Sequence, residues 1–496
     1  MPYTDYNAPG VNVIVQRQNS ASTNRLTDFL PVFIGTGMTS RSRTVSKEAL
    51  KANVVNYPDV RLDWNIDGTL NYQIFKETDF VIKKVVVHKE EHTVLIEGED
   101  YEVVTAAAMV SNEMQAYTIV KILDEDKIKP TDLIYSIEIG IENTNEDFDL
   151  REVLLTDSYY LKEIFGSAIL KESDSTFFND IYFAAKIAFK LEVEKFFYME
   201  VPREYGSPAT EEDIIKAMEK IYFKNDAYRI IPLSSSDEVT KALNALTTSL
   251  SNPIDRREIV AFTTIDPAQI SDIRDIDELV EKVGGLSQSL NNSRTLNIFG
   301  GESVEFIDGN ERYVLPHYFL AAAIAAYDTV VGMGNPLSLR ELTVFSKLNG
   351  PKFRPRVWNQ LAKYGVFIAY QNDVNEPIIL RHQLTTKQSD APEDQEYSIQ
   401  KNFDAVTKRM RDRLKPYAGS SNITDGYLEK LDGTLTSVIE EVKELGWARE
   451  ITVITGWTLK QVGVGSSVTE EKRNLVNRLK MTPVYPANEL DVYLLV

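Results

Sequence analysis

The residues that could do chemistry are few and scattered. The chain has four histidines and no cysteine. Without thiolates, disulfides and cysteine-ligated zinc sites are excluded. His88 and His92 flank Lys89-Glu90-Glu91. If that tripeptide is a hairpin loop, the two imidazoles face each other across paired strands. With Glu97 or Glu99 they could then hold a metal; the plainer reading is an exposed cross-strand pair. His317 and His382 read as hydrogen-bonded packing residues. No glycine-rich stretch runs into Gly-Lys-Ser or Gly-Lys-Thr. Gly332-Met333-Gly334 and Gly463-Val464-Gly465 lack the third glycine of a dinucleotide fingerprint, so both read as turns. There is no Gly-x-Ser-x-Gly nucleophile elbow. Carboxylates are abundant, and none is marked as half of an acid–base pair. No catalytic, cofactor-binding or metal-binding residue is assigned, and the chain reads as a non-enzyme.

The elements around these residues are those of a large globular protein. At 496 residues, 43% hydrophobic and 26% charged, about three domains are expected. The most apolar run, Tyr318 to Tyr327, is followed at once by Asp328. It is too short for a membrane span, which needs about 20 residues. Met1 to Val15 lacks the basic start and apolar block of a signal peptide. The net charge of −20 is uneven. Residues 1–61 carry 7 Lys+Arg against 4 Asp+Glu, residues 62–289 carry 23 against 45, and residues 290–496 carry 24 against 25. The acidic middle reads as a solvated outer face that repels nucleic acid.

Along the chain, Ala8-Pro9-Gly10 is a turn signal, and Val11, Val13 and Val15 alternate as in a short strand. Arg17 to Asp28 is a polar linker. Phe29 to Gly37 reads as a buried strand that exits into a loop. Val81–His88, Thr93–Ile96, Met114–Leu123 and Leu133–Ile141 form a β-rich segment. Helices at Asn179–Leu191, Glu211–Tyr222 (capped by Thr210), Ser236–Leu250 and Ile276–Val283 alternate with strands at Lys195–Val201, Tyr228–Pro232 and Ile259–Thr263. That alternation suggests a parallel sheet. Later come an alanine-rich helix, Tyr318–Val331, between Pro316 and Gly332, and a helix Arg356–Tyr364. Two amphipathic helices follow: one carries Ile399, Phe403, Val406, Met410 and Leu414, the other Leu428, Leu431, Leu435, Val438, Val442 and Leu445. Strands at Glu450–Val462 and Asn474–Val484 precede a turn at Pro486-Ala487-Asn488. Leu490, Val492 and Leu494 mark a strand that runs to Val496.

The expected fold class is α+β and multidomain. Residues 1–28 form an N-terminal strand arm and linker. Residues 29–75 and 148–289 form an α/β middle domain, and 76–147 an outer β-rich insertion. Residues 290–496 form a C-terminal core ending in a strand arm. A lone terminal strand needs a sheet edge for its amides and carbonyls. Its own domain can supply that edge, or another subunit can, by strand augmentation. If both ends pair with neighbours, the contact is head-to-tail and generates rings or helices.

At this point the sequence resembles the tail sheath proteins of contractile phages and related injection machines. The resemblance rests on an ordered set of segments: Ala8-Pro9-Gly10-Val11-Asn12-Val13; Phe33-Ile34-Gly35; Ala227-Tyr228-Arg229-Ile230-Ile231-Pro232-Leu233; the proline-led helix Pro316 to Asp328; the helix and Gly-Val of Leu361 to Val366; and the strand, turn and strand of Met481 to Val496. It departs from the family at Ile379 to Thr386, where many members carry a tryptophan-containing arginine-threonine segment. The resemblance implies a helical sheath around a rigid tail tube, with outward insertions and a C-terminal sheath core. It implies that the strands of Val11, Val13, Val15 and of Leu490, Val492, Leu494 join a neighbour's sheet, with Arg17–Asp28 and Leu479–Asn488 as hinges. Implied partners are further copies of the chain, the tail tube protein, and baseplate and tail terminator proteins. No cofactor, nucleic acid or membrane insertion is implied. The expected location is the virion tail, assembled in the host cytoplasm. The competing readings are an α/β ligand-binding or enzymatic protein with a β insertion, and another virion structural protein.

Overall fold

The structure is a computed structural model. It describes residues 29–37, 40–46, 60–64, 70–75, 80–88, 92–110, 113–123, 136–143, 150–154, 160–172, 175–203, 207–223, 226–251, 257–265, 275–389, 391–417, 422–459 and 475–486. Its centre is a nine-stranded sheet in the order Arg151–Leu154, Lys195–Glu200, Leu30–Gly35, Ala227–Pro232, Val260–Thr264, Thr295–Phe299, Val366–Tyr370, Ile378–His382, Arg340–Leu342. The six strands from Lys195–Glu200 to Val366–Tyr370 are mutually parallel. The flanking strands are antiparallel.

Parallel strands covered on both faces read as continuous apolar runs, and Leu30–Gly35 is such a run, buried throughout. Its side chains alternate between two cores. Phe29 and Phe33 join the core that holds helices Asp180–Lys190 and Tyr318–Val331. Leu30, Val32 and Ile34 join the core under helices Glu211–Glu219 and Asp237–Leu250. Thr210 caps its helix in a reciprocal capping box with Asp213, as its position predicts. The alanine-rich helix is buried from Phe319 to Ala326, because small side chains let its backbone lie close to the sheet. A Cβ on Gly300 would stand 2.8 Å from Leu320 Cδ2 and 2.9 Å from the Ala369 carbonyl oxygen. The helix expected at Ile276–Val283 runs on through a π turn at Val280–Gly284 to Leu290.

Two expected domain boundaries fall inside sheets. Ala261 pairs with Thr295, and Asn297 with Val366, so the division at 289/290 crosses one continuous sheet. Strand pairing also crosses the division at 75/76. Ser40–Ser46 pairs with Ser136–Asn143, and Leu70–Phe75 pairs with Glu113–Ile122. The β-rich region therefore begins by Ser40 and forms two four-stranded sheets. Its opening strand, Ser-Arg-Ser-Arg-Thr-Val-Ser, has no apolar alternation to reveal it. His88 and His92 are directly paired, as the hairpin reading required.

The chain then crosses to helices Tyr397–Leu414 and Asp425–Glu444, which pack together. It ends, within the described residues, in a hairpin of Glu450–Leu459 and Leu475–Thr482. On Asp425–Glu444 the expected stripe is the buried face, with Leu431, Leu435, Val438 and Val442 inside. On Tyr397–Leu414 the buried face also takes in Lys401, Asn402 and Asp404.

Candidate functional site: the roots of the two terminal segments

An open α/β sheet binds ligands at the carboxyl ends of its strands, where the strand order reverses. The first strand, Leu30–Gly35, lies between strands that follow it on either side, and it ends in Gly35-Thr36-Gly37. Among the described residues, the two glycines at this strand end are closely packed. A Cβ on Gly35 would lie 2.7 Å from Leu233 Cβ, and one on Gly37 would lie 2.4 Å from Glu200 Cγ. The Arg203 guanidinium donates to the Gly37 carbonyl at 2.9 and 3.2 Å. Asp180, buried, accepts from Tyr318 Oη at 2.7 Å and from the Thr36 amide at 3.3 Å. Burial pushes its carboxyl up to about 7, against the opposing pull of Tyr318, Thr36 and Arg203. The glycines serve close packing here.

The opposite ends of the strands hold buried charged groups. Arg229, on the strand next to the first, is 1% exposed. Its Nε donates to Asp328 Oδ2 at 2.6 Å and its Nη1 to the Phe29 carbonyl at 2.6 Å. Asp328 also accepts from Lys401 Nζ at 2.6 Å and Tyr397 Oη at 2.7 Å. Lys401 donates a second time, to the Gly332 carbonyl at 3.0 Å. Burial disfavours the Asp328 carboxylate, but the two cations more than offset it and hold its pKa below the ordinary value. Burial pulls the Lys401 ammonium down to about 8. A second cluster adjoins the first. Arg294 grips Asp404 through two bonds of 2.7 and 2.6 Å, and Tyr228 Oη donates to the same carboxylate at 2.9 Å.

Both clusters converge on Phe29, the first described residue. Its ring meets Tyr228 edge-on at 4.7 Å, and the Lys408 ammonium lies 4.9 Å from its centre. The point at which residues 1–28 join the fold is therefore clamped from the sheet, from the alanine-rich helix and from helix Tyr397–Leu414.

The other terminal segment leaves from a different environment. Among the described residues, Glu450–Leu459 and Leu475–Thr482 pair only with each other. Their register slips between Val453 and Thr455 and between Thr455 and Thr458. Thr452 to Gly456 are exposed, with Val453 46% and Ile454 61% open. Ile451, Leu479 and Met481 hold the hairpin to the core. Beyond it Pro483 is buried, and Tyr485 hydrogen-bonds the Glu393 carboxylate on the surface.

The expected inter-subunit strand residues Val11, Val13, Val15, Leu490, Val492 and Leu494 lie outside the described residues, as does the hinge Arg17–Asp28. Of the second hinge, Leu479–Thr482 belongs instead to the hairpin ladder, which holds it straight. His317 Nε2 accepts from the Gly300 amide at 3.2 Å, and burial pulls the ring down to about 4. His382 bonds Glu396. Among the described residues no group of three His, Asp or Glu is placed to hold a metal, and no helix is long and apolar enough to cross a membrane. An open groove of about 630 Å³ lies between the two long helices, rimmed by Asp412, Arg413 and Lys430. The buried Arg229–Asp328–Lys401 set was not assigned from sequence. Its signal was present: an arginine inside the apolar run Ala227–Pro232, and an aspartate ending the run Tyr318–Tyr327.

No family profile matches the chain, and no curated protein matches it. Solved structures do. The sheath tail protein of Desulfitobacterium hafniense matches at 9% identity over 96% of this chain and 100% of its own, with a TM-score of 0.42. A chain of the anti-feeding prophage helical sheath in its contracted state matches at 11% identity over 70% and 87%, with a TM-score of 0.49. A chain of the six-fold symmetrised anti-feeding prophage baseplate matches at 11% identity over 72% of this chain and 97% of that one, with a TM-score of 0.50. The chain thus shares its fold with a component of the anti-feeding prophage baseplate assembly.

Proposed function

We propose that the chain is a non-enzymatic structural subunit of a contractile tail sheath. It polymerises helically around a tail tube and shortens to drive that tube through a host envelope. The observation that carries the reading is the hairpin Glu450–Leu459/Leu475–Thr482. Among the described residues neither outer edge of this two-stranded ladder is paired, and Val453 and Ile454 are exposed on it. Free edges invite another strand, and alternating sequences stand at both ends of the chain. The fold shared with a baseplate component supports the same reading. Partners are further copies of the chain, the tube, and baseplate and terminator proteins. The contraction is mechanical, a passage of near-rigid subunits between two packings, and it needs no nucleotide. The virion tail is the location this implies.

Negative-stain electron microscopy of the purified protein, alone and with the tube protein, tests the proposal. Hollow striated tubes of uniform diameter are expected. Removing Leu490–Val496 should abolish them while leaving a folded monomer by circular dichroism. Small particles under all conditions would overturn the sheath reading, and tubes from the truncated chain would overturn the strand-exchange part alone.

A further inference from the structure

We infer that the two ends of the subunit are anchored with unequal mechanical strength, and that the C-terminal hairpin is a built-in yield point. The inference rests on the proposed reading that the terminal segments carry load between copies, but its test needs only single subunits.

The N-terminal root resists withdrawal on every side. Leu30–Gly35 is paired to Lys195–Glu200 on one edge and to Ala227–Pro232 on the other. The ladders continue at its ends, where the Leu30 amide donates to Asp226 and the Leu233 and Val201 amides donate to Ile34 and Gly35. No in-plane direction lets this strand open one bond at a time. Its faces are covered by two separate cores, so it cannot lift out either. Displacing it exposes Leu30, Val32, Phe33 and Ile34 together and breaks the Arg229 bond to the Phe29 carbonyl.

The C-terminal root opens stepwise. Thr482 pairs with Glu450, and Glu450 follows Trp447 and Ala448, which are buried in the core. The pulled end and the fixed end therefore lie at the same end of the ladder. Tension on residue 482 loads one pair at a time, from Thr482–Glu450 towards Leu475–Leu459. The slipped registers further weaken that ladder. Among the described residues, the first contact to give is the exposed one between Tyr485 and Glu393. Peeling frees the eight residues of Leu475–Thr482, roughly 25 Å of chain. A neighbour holding the C-terminal segment would then stay attached while the spacing between subunits changes.

The test is stretching of the full chain in an optical trap, with handles at residues 1 and 496. The expected trace has an early low-force opening before the main sheet ruptures. A double variant, Thr452→Cys with Lys480→Cys, joins residues that face each other in the ladder, and the chain has no other cysteine. When oxidised it should lose the early opening, and reduction should restore it. Rupture of the main sheet first, or an early opening that the oxidised staple leaves unchanged, would overturn the inference. Tubes with the reversed rupture order would sink this inference alone. The expected order in a chain that never forms tubes would sink only the sheath reading.

Discussion

Asp328 accepts hydrogen bonds from Arg229, Lys401 and Tyr397 at 2.6–2.7 Å, and none of the four is more than 1% exposed. A buried ion cluster is weak evidence for net stability, but removing one partner strands the others without a counter-charge. Asp328→Asn should therefore cost about 3–5 kcal/mol, measured by chemical denaturation. A loss below about 1 kcal/mol would show that the cluster tolerates an unbalanced cation pair. Asp180 gives the pH dependence. Its folded carboxyl lies at about 7, against 3.8 ordinarily. Between those values the folded state keeps a proton that the unfolded state has lost. The contribution of Asp180 to stability therefore falls as pH rises from about 4 to 7 and levels off above, while that of His317, lowered to about 4, runs the opposite way below its ordinary 6.5. Asp180→Asn should flatten that fall, so the variant gains on the wild type as pH rises through this window. An unchanged profile in thermal melts from pH 4 to 8 would contradict it. At this scale the sequence is partly legible. An arginine in Ala227–Pro232 breaks an apolar run, yet nothing local says that its partner lies 99 positions away.

At the scale of elements, the parallel strands and their helices follow from apolar runs of strand length, punctuated by capping residues such as Thr210 and Ser236. What periodicity does not carry is which strand lies beside which. That is why the pairing of strands across the expected boundary at 290 could not be read from the sequence. Short polar strands such as Ser40–Ser46 are set by their partners and not by their own residues. The close contact of the first strand with its neighbour gives a direct check. Gly35→Ala places a methyl 2.7 Å from Leu233 Cβ. It should cost about 1–3 kcal/mol through overpacking, seen as a lower melting temperature, whereas an unshifted melt would mean that Leu233 yields freely. The hairpin should behave in the opposite way. Val453→Ser with Ile454→Ser removes exposed apolar groups and should leave the monomer within about 0.5 kcal/mol of wild type. The same pair should raise the protein concentration needed for tube growth in light scattering. Tube growth unaffected by the pair would remove the hairpin from the interface.

Across the whole molecule, three properties are joined: close packing at the glycines that end the first strand, a net charge of −20 concentrated in residues 62–289, and two terminal segments rooted very differently. In the proposed sheath, charge of one sign would keep the polymer soluble, and the near-neutral remainder would pack against copies of itself. The alternating sequences at the two ends were legible from the start; the depth of their anchorage was not, because it depends on residues such as Arg229 and Trp447 that are remote in the chain. In the proposed sheath, a strand from one copy completes the hairpin of another. Cryo-electron microscopy of assembled tubes, at a resolution that traces the backbone, tests it most directly. A strand from a second copy hydrogen-bonded along Glu450–Leu459 or Leu475–Thr482 is the expected result. A polymer in which both edges of that hairpin stay bare, or are covered only by the same copy's own chain, would contradict it.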